Sequence, residues 1–184
     1  MQRCNNVFRQ FKNYMMKQFI LIMLIAFALQ SCDKDKAMSR GYDMEKVYAE
    51  NAEKVTITQG VWGTVSFTEG NCMPTAEPAS STCTTRPVQR IVKIYPYTLT
   101  VNAVRADDSN VFFESINPQL IAETTADDNG FFQLALPDGK YSIAVVEDGK
   151  LYANGGDGNG GICPFTVSSG KTNMNFPITY KAVY

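Results

Sequence analysis

The spacing of apolar positions changes character along the chain. Eleven consecutive apolar residues run from Phe19 to Leu29, FILIMLIAFAL, far fewer than the roughly 20 a helix needs to cross a bilayer. From Asp33 to about Thr58 polar residues dominate, the composition of a tether. Within that stretch DMEKVYAENAEK, Asp43 to Lys54, places Met44, Val47 and Tyr48 on one side of a short helix with Asp43 as its N-cap. A helix of this length is marginal in isolation. Beyond Gln59, short runs rich in Val, Ile, Thr, Phe and Tyr are broken by Gly, Pro, Asn and Asp, a pattern that predicts an all-β fold.

The predicted strands are Val61 to Phe67, Gln89 to Tyr97, Leu99 to Val104, Leu120 to Ala126, Phe131 to Leu136, Tyr141 to Glu147, Leu151 to Asn154, Pro164 to Val167 and Asn173 to Val183. Alternation is clearest at Val61, Gly63, Val65 and Phe67 and at Tyr141, Ile143 and Val145, as in a half-buried antiparallel sheet. Asp127 to Gly130 (DDNG), Pro137 to Lys140 (PDGK) and Glu147 to Lys150 (EDGK) carry hairpin turn chemistry and predict a meander from about Leu120 to Asn154. Seven to nine short strands in roughly 125 residues close most naturally as an antiparallel sandwich of two sheets.

The apolar run reads as the core of a secretory signal, because Lys17 precedes it and small or polar residues follow. This divides the 184 residues into a signal peptide (1–31), a tether (32–58) and a β-sandwich domain (59–184). Met15 or Met16 is the expected true start, since residues 1–14 give the signal an unusually long leader. All 18 acidic residues follow the signal, whereas four of the 17 basic ones (Arg3, Arg9, Lys12, Lys17) precede it, so the remainder is acidic by five charges. Without a basic patch interleaved with aromatics, nucleic acid is not an expected partner.

LQSC, Leu29 to Cys32, resembles the lipobox of bacterial lipoproteins, with an aliphatic residue three places before the cysteine and a small one directly before it. The resemblance implies cleavage before Cys32 and lipidation of its thiol, a good nucleophile for the acyl donor. Two or more chains anchor a protein stably. The following DKDK resembles the export signal of Bacteroidetes-type lipoproteins, which implies an outer-membrane location, periplasmic or surface-exposed.

Between Thr124 and Val146 the sequence resembles the carboxypeptidase regulatory-like domain, a transthyretin-like (prealbumin-like) sandwich. The matching positions are Asp127, Gly130, Phe131, Leu136, Pro137, Gly139 and Tyr141, with Gly63 and Val65 on an earlier strand. The family's Pro-Leu-x-Gly segment after the first strand is replaced by an insert from Glu69 to Pro87. The resemblance implies a noncatalytic module that packs on, orients or presents other parts.

Candidate chemistry is sparse. The chain has no histidine, so the usual base of a hydrolytic triad and the commonest zinc ligand are missing. The paired acids Asp107/Asp108 and Asp127/Asp128 sit in turn contexts, where solvated loop carboxylates are ordinary. GGDGNGG, Gly155 to Gly161, spaces Asp157 and Asn159 like calcium ligands, but no glutamate closes the loop, and glycines serve turns of positive φ. Cys72 and Cys83 flank a Pro/Ser/Thr segment without core-forming residues, and their pairing is the expected disulfide. Cys163 is then expected as a buried thiol. Trp62, Phe112, Phe113, Phe131, Phe132 and Tyr152 could present ring faces to a sugar or protein, although one of each adjacent pair belongs in a core.

The sequence thus predicts a lipid-anchored envelope protein: a noncatalytic interaction module, with neither cofactor nor metal, whose partner is an envelope protein or a glycan. The alternatives are a carbohydrate-binding module and a hydrolase using loop carboxylates, which would need two acids across one cleft.

Overall fold

The computed structural model describes residues 41–74, 81–106 and 108–184. The expected signal peptide, Cys32 and the first part of the expected tether lie outside the described residues. The fold is an all-β sandwich of two sheets around one apolar core.

Strand β1 (Gly60–Asn71) is the spine of the first sheet. Its first half pairs in parallel with β11 (Lys171–Asn173) and antiparallel with β7 (Phe131–Leu134). Its second half pairs in parallel with β12 (Phe176–Val183) and antiparallel with β2 (Thr84–Pro87). Two stitches hold the change of partners. Thr64 N–H donates to the Asn175 side-chain oxygen at 3.0 Å, bridging the break between β11 and β12. Val65 N–H donates to the Gly130 carbonyl at 2.8 Å, bridging β7 and β2. The backbones approach so closely here that a Cβ on Gly63 would lie 2.1 Å from the Met174 carbonyl oxygen, which explains the glycine in an otherwise strand-forming run.

The second sheet runs in the order β4 (Ala103–Arg105), β5 (Phe112–Ile116), β9 (Lys150–Tyr152), β8 (Gly139–Glu147), β3 (Ile91–Pro96) and β6 (Ala122–Thr125), and β10 (Pro164–Val167) lies beside the first half of β8. All pairings in this sheet are antiparallel. Val61, Val65 and Phe67 of β1 face Ile143 and Val145 of β8 through the core, as their alternation predicts.

The described residues form twelve strands rather than seven to nine. β2, β5 and β11 were not read from the sequence, and the run from Leu99 to Val104 is largely a 3-10 turn, Thr100–Asn102, leading into β4. The predicted meander is replaced by crossovers: β6 pairs with β3, β7 joins the other sheet, and β8 returns to the second. A type I′ hairpin turn needs positive φ at both central residues. Of the three turns only the last qualifies, with Asp148 at φ 50° and Gly149 at φ 79°. It alone makes a hairpin, between β8 and β9.

Helix α1 (Met44–Glu53) forms where expected, with the Asp43 carboxylate accepting from Lys46 N–H at 3.2 Å. The compact unit begins at Gly41, so the last two thirds of the expected tether belong to it. Polar contacts dock it. Asn51, fully buried, donates to Thr64 Oγ1 and the Asn129 carbonyl, each at 2.9 Å. Lys54 pairs with Asp127 at 2.9 Å, the Gln133 amide bridges the backbone and hydroxyl of Thr56, and Gln59 donates to Asp138.

Candidate functional site

Cys72 and Cys83 are joined, with Cα atoms 4.7 Å apart, Cys72 directly after the end of β1 and Cys83 directly before the start of β2. The bridge closes the base of the insert, of which residues 75–80 are outside the described set. Cys163 is a free thiol, 5% exposed, and burial pushes its pKa up to about 12. A thiol held that far from ionisation is a poor nucleophile.

The glycine loop is organised around Asp157. One carboxylate oxygen accepts from Asn159 and Gly161 N–H at 3.0 and 3.1 Å, and the other accepts from Tyr97 OH at 2.9 Å and Lys140 Nζ at 3.0 Å. The Lys140 bond and the backbone donors hold this carboxyl well below the usual range. Asp157 therefore acts as a loop brace, not as a free calcium ligand. Among the described residues no group of three or more acids or cysteines is placed to hold a metal ion.

Asp127 does similar work. Its carboxylate accepts from Asn129 and Phe131 N–H, each at 2.9 Å, and from Lys54. Burial alone would raise its pKa, but the Lys54 ammonium and the two amides outweigh that and lower it. Asp128 and Asp108 are exposed, and Asp107 is outside the described residues. Of the aromatics, Phe113, Phe132 and Tyr152 are core, while Trp62, Phe112 and Phe131 are half-buried.

Sequence reasoning missed the most developed polar cluster, which lies where β12 meets the β8–β9 turn. Glu147 is 3% exposed, and one of its oxygens takes the Arg90 Nε–H. The Tyr180 hydroxyl stands 3.0 Å from the other Glu147 oxygen and 3.1 Å from Asp148 Oδ2. Burial and these two acceptors raise the Tyr180 pKa, so the hydroxyl keeps its proton. Arg90 lies 57 residues from Glu147, and Tyr180 lies 33 beyond it. The one local signal was a glutamate closing the apolar run YSIAVVE directly before a turn aspartate.

Beside this cluster a cavity of about 300 Å³ is lined by Ala106, Ser109, Phe112, Asp148, Lys150 and Tyr180. Phe112 and Tyr180 meet edge to face at 5.0 Å and continue inward to Tyr152 and Phe67. The Ser109 hydroxyl accepts from Val111 and Phe112 N–H, fixing the start of β5, and Lys150 reaches Glu114 at 3.7 Å. A second cavity, about 510 Å³, lies along Thr56 to Gln59 and Ala135 to Pro137 and has no charged side chain among its lining residues.

Comparison with protein-family models, with characterised proteins and with solved structures finds no match.

Proposed function

We propose that this chain is a lipid-anchored protein of the outer membrane, tethered through Cys32, whose sandwich is a noncatalytic interaction module. The all-β sandwich supports the resemblance to carboxypeptidase regulatory-like, transthyretin-like domains. The observation that carries the noncatalytic reading is the use made of the carboxylates: Asp127 and Asp157 close turns, and Glu147 is engaged by Arg90 and Tyr180. Acids committed to holding loops make a binding surface rigid, which lowers the ordering cost of binding. The disulfide-based insert, Glu69 to Pro87, and the Asp157-braced loop are the contact surfaces of this reading.

Metabolic labelling with a palmitate analogue tests the anchor. Wild-type chain should be labelled and recovered with the outer membrane, and Cys32→Ser should be unlabelled. Label retained on Cys32→Ser would refute lipidation at this thiol. Crosslinking on intact cells from positions in the insert should recover an envelope component, and a shortened insert should lose it. A glycan as the partner is the second reading, favoured by the cavity walled by Phe112 and Tyr180.

A further inference from the structure

We infer that the cavity between Phe112, Tyr180 and the β8–β9 turn binds a neutral saccharide, with the Asp148 carboxylate as its hydrogen-bond acceptor and the two rings as its apolar wall. The inference rests on the reading of the domain as an interaction module and names the class of ligand.

Three observations converge on it. The first is a division of labour between two adjacent acids. The Tyr180 hydroxyl has one proton for two carboxylate oxygens, at 3.0 and 3.1 Å. Glu147 is buried and Asp148 lies at the surface, so the proton stays with the group that water cannot serve. Asp148 Oδ2 thereby keeps acceptor capacity at the edge of the cavity, and its position is fixed by the tight turn at Asp148 and Gly149.

The second is charge balance. Among the described residues the lining holds one carboxylate, Asp148, and one ammonium, Lys150, which also reaches Glu114. Such a pair selects neither a net anion nor a net cation. It suits a ligand that donates and accepts hydrogen bonds with the same groups, as hydroxyls do. The third is the apolar wall. Half-buried Phe112 and Tyr180 offer ring surface with a polar tip, the combination that accommodates the C–H face of a sugar ring beside its hydroxyls. A volume of about 300 Å³ is at the small end of ligand sites and is suited to a monosaccharide unit.

The test uses the full chain in detergent and saturation-transfer NMR. The probes are the methyl glycosides of glucose, galactose, mannose and N-acetylglucosamine, followed by their β-linked disaccharides. At least one probe should give a saturable signal. Asp148→Asn should weaken it about tenfold or more, the loss expected when a charged acceptor becomes neutral. Asparagine tolerates positive φ, so the turn survives, and an unchanged melting temperature checks this. Phe112→Leu should weaken binding at the apolar wall, whereas Asp128→Asn, at an exposed turn position that is not among the lining residues, should leave it unchanged. Silence from every probe, or binding indifferent to both Asp148→Asn and Phe112→Leu, overturns the inference. A protein partner crosslinked through the insert would leave the interaction-module reading standing in that event, so the two fail separately.

Discussion

Replacing Arg90 by methionine isolates what the buried carboxylate costs. Arg90 donates through Nε to Glu147, and the two side chains are 30% and 3% exposed. Removing the guanidinium leaves one Glu147 oxygen without its donor while Tyr180 still serves the other. Breaking a buried pair from one side costs about 3–5 kcal/mol. Because nearly a third of Arg90 reaches solvent, water relieves part of this, and a loss of about 2–4 kcal/mol is expected. Glu147→Gln keeps the acceptor for Tyr180 and should cost less, about 1–2 kcal/mol. The double variant Arg90→Met/Glu147→Met removes both charges and should be more stable than Arg90→Met alone, because no charge is left buried. Urea unfolding at constant slope is the assay. With a slope of about 2 kcal/mol per molar, the Arg90→Met midpoint should fall by about 1–2 M. An Arg90→Met loss within about 0.5 kcal/mol, as for an exposed ion pair, would refute the reasoning. So would an Arg90→Met/Glu147→Met loss equal to the sum of the Arg90→Met and Glu147→Met losses measured singly.

Three further outcomes follow from the same geometry. The Cys72→Ser/Cys83→Ser variant should lose about 3 kcal/mol, the chain-entropy value for a loop of roughly a dozen residues, and should unfold at a lower urea midpoint than the oxidised wild type, with reductant producing the same shift in wild type. Asp157→Asn should speed amide exchange at Asn159 and Gly161. Because the folded-state pKa is lowered by Lys140 and the loop amides, the brace contributes stability above the ordinary carboxylate pKa and loses it as pH falls through the lowered value, so acid should loosen the wild-type loop in the same way. Cys163, held at about 12 by burial, should resist iodoacetamide at neutral pH and react at the rate of unfolding, and rapid labelling of native protein would contradict its buried state.

The core-facing positions were legible from alternation, but the half-buried sheet it implied was not, since Thr64, Ser66, Ser142 and Ala144 on the intervening positions of β1 and β8 are buried as well. Val61, Val65, Phe67, Tyr141, Ile143 and Val145 are all buried as their spacing required. The disulfide was legible because a Pro/Ser/Thr loop between two cysteines has little else to hold it. Connectivity was not. Asp127 and Asn129 promise a hairpin, but the Asp127 carboxylate takes the amides of Asn129 and Phe131, and the chain continues into the other sheet, where β7 pairs with β1. Turn residues state that the chain reverses, whereas the strand it reaches depends on long-range pairing. Asn51 was likewise invisible, since a polar residue at a helical position reads as solvent-facing until its partners, Thr64 and the Asn129 carbonyl, arrive from β1 and the β6–β7 turn. The Arg90, Glu147 and Tyr180 cluster escaped for the same reason.

The docking of α1 has a mechanical consequence. Tension applied at Gly41 meets the polar clasps of Asn51, Lys54, Thr56 and Gln59 before it reaches β1. Those clasps can open one after another. β1, flanked by partners on both sides through most of its length, has to be sheared from four strands. Pulling at Gly41 should therefore peel α1 from the domain before β1 is sheared, with the two sheets still intact.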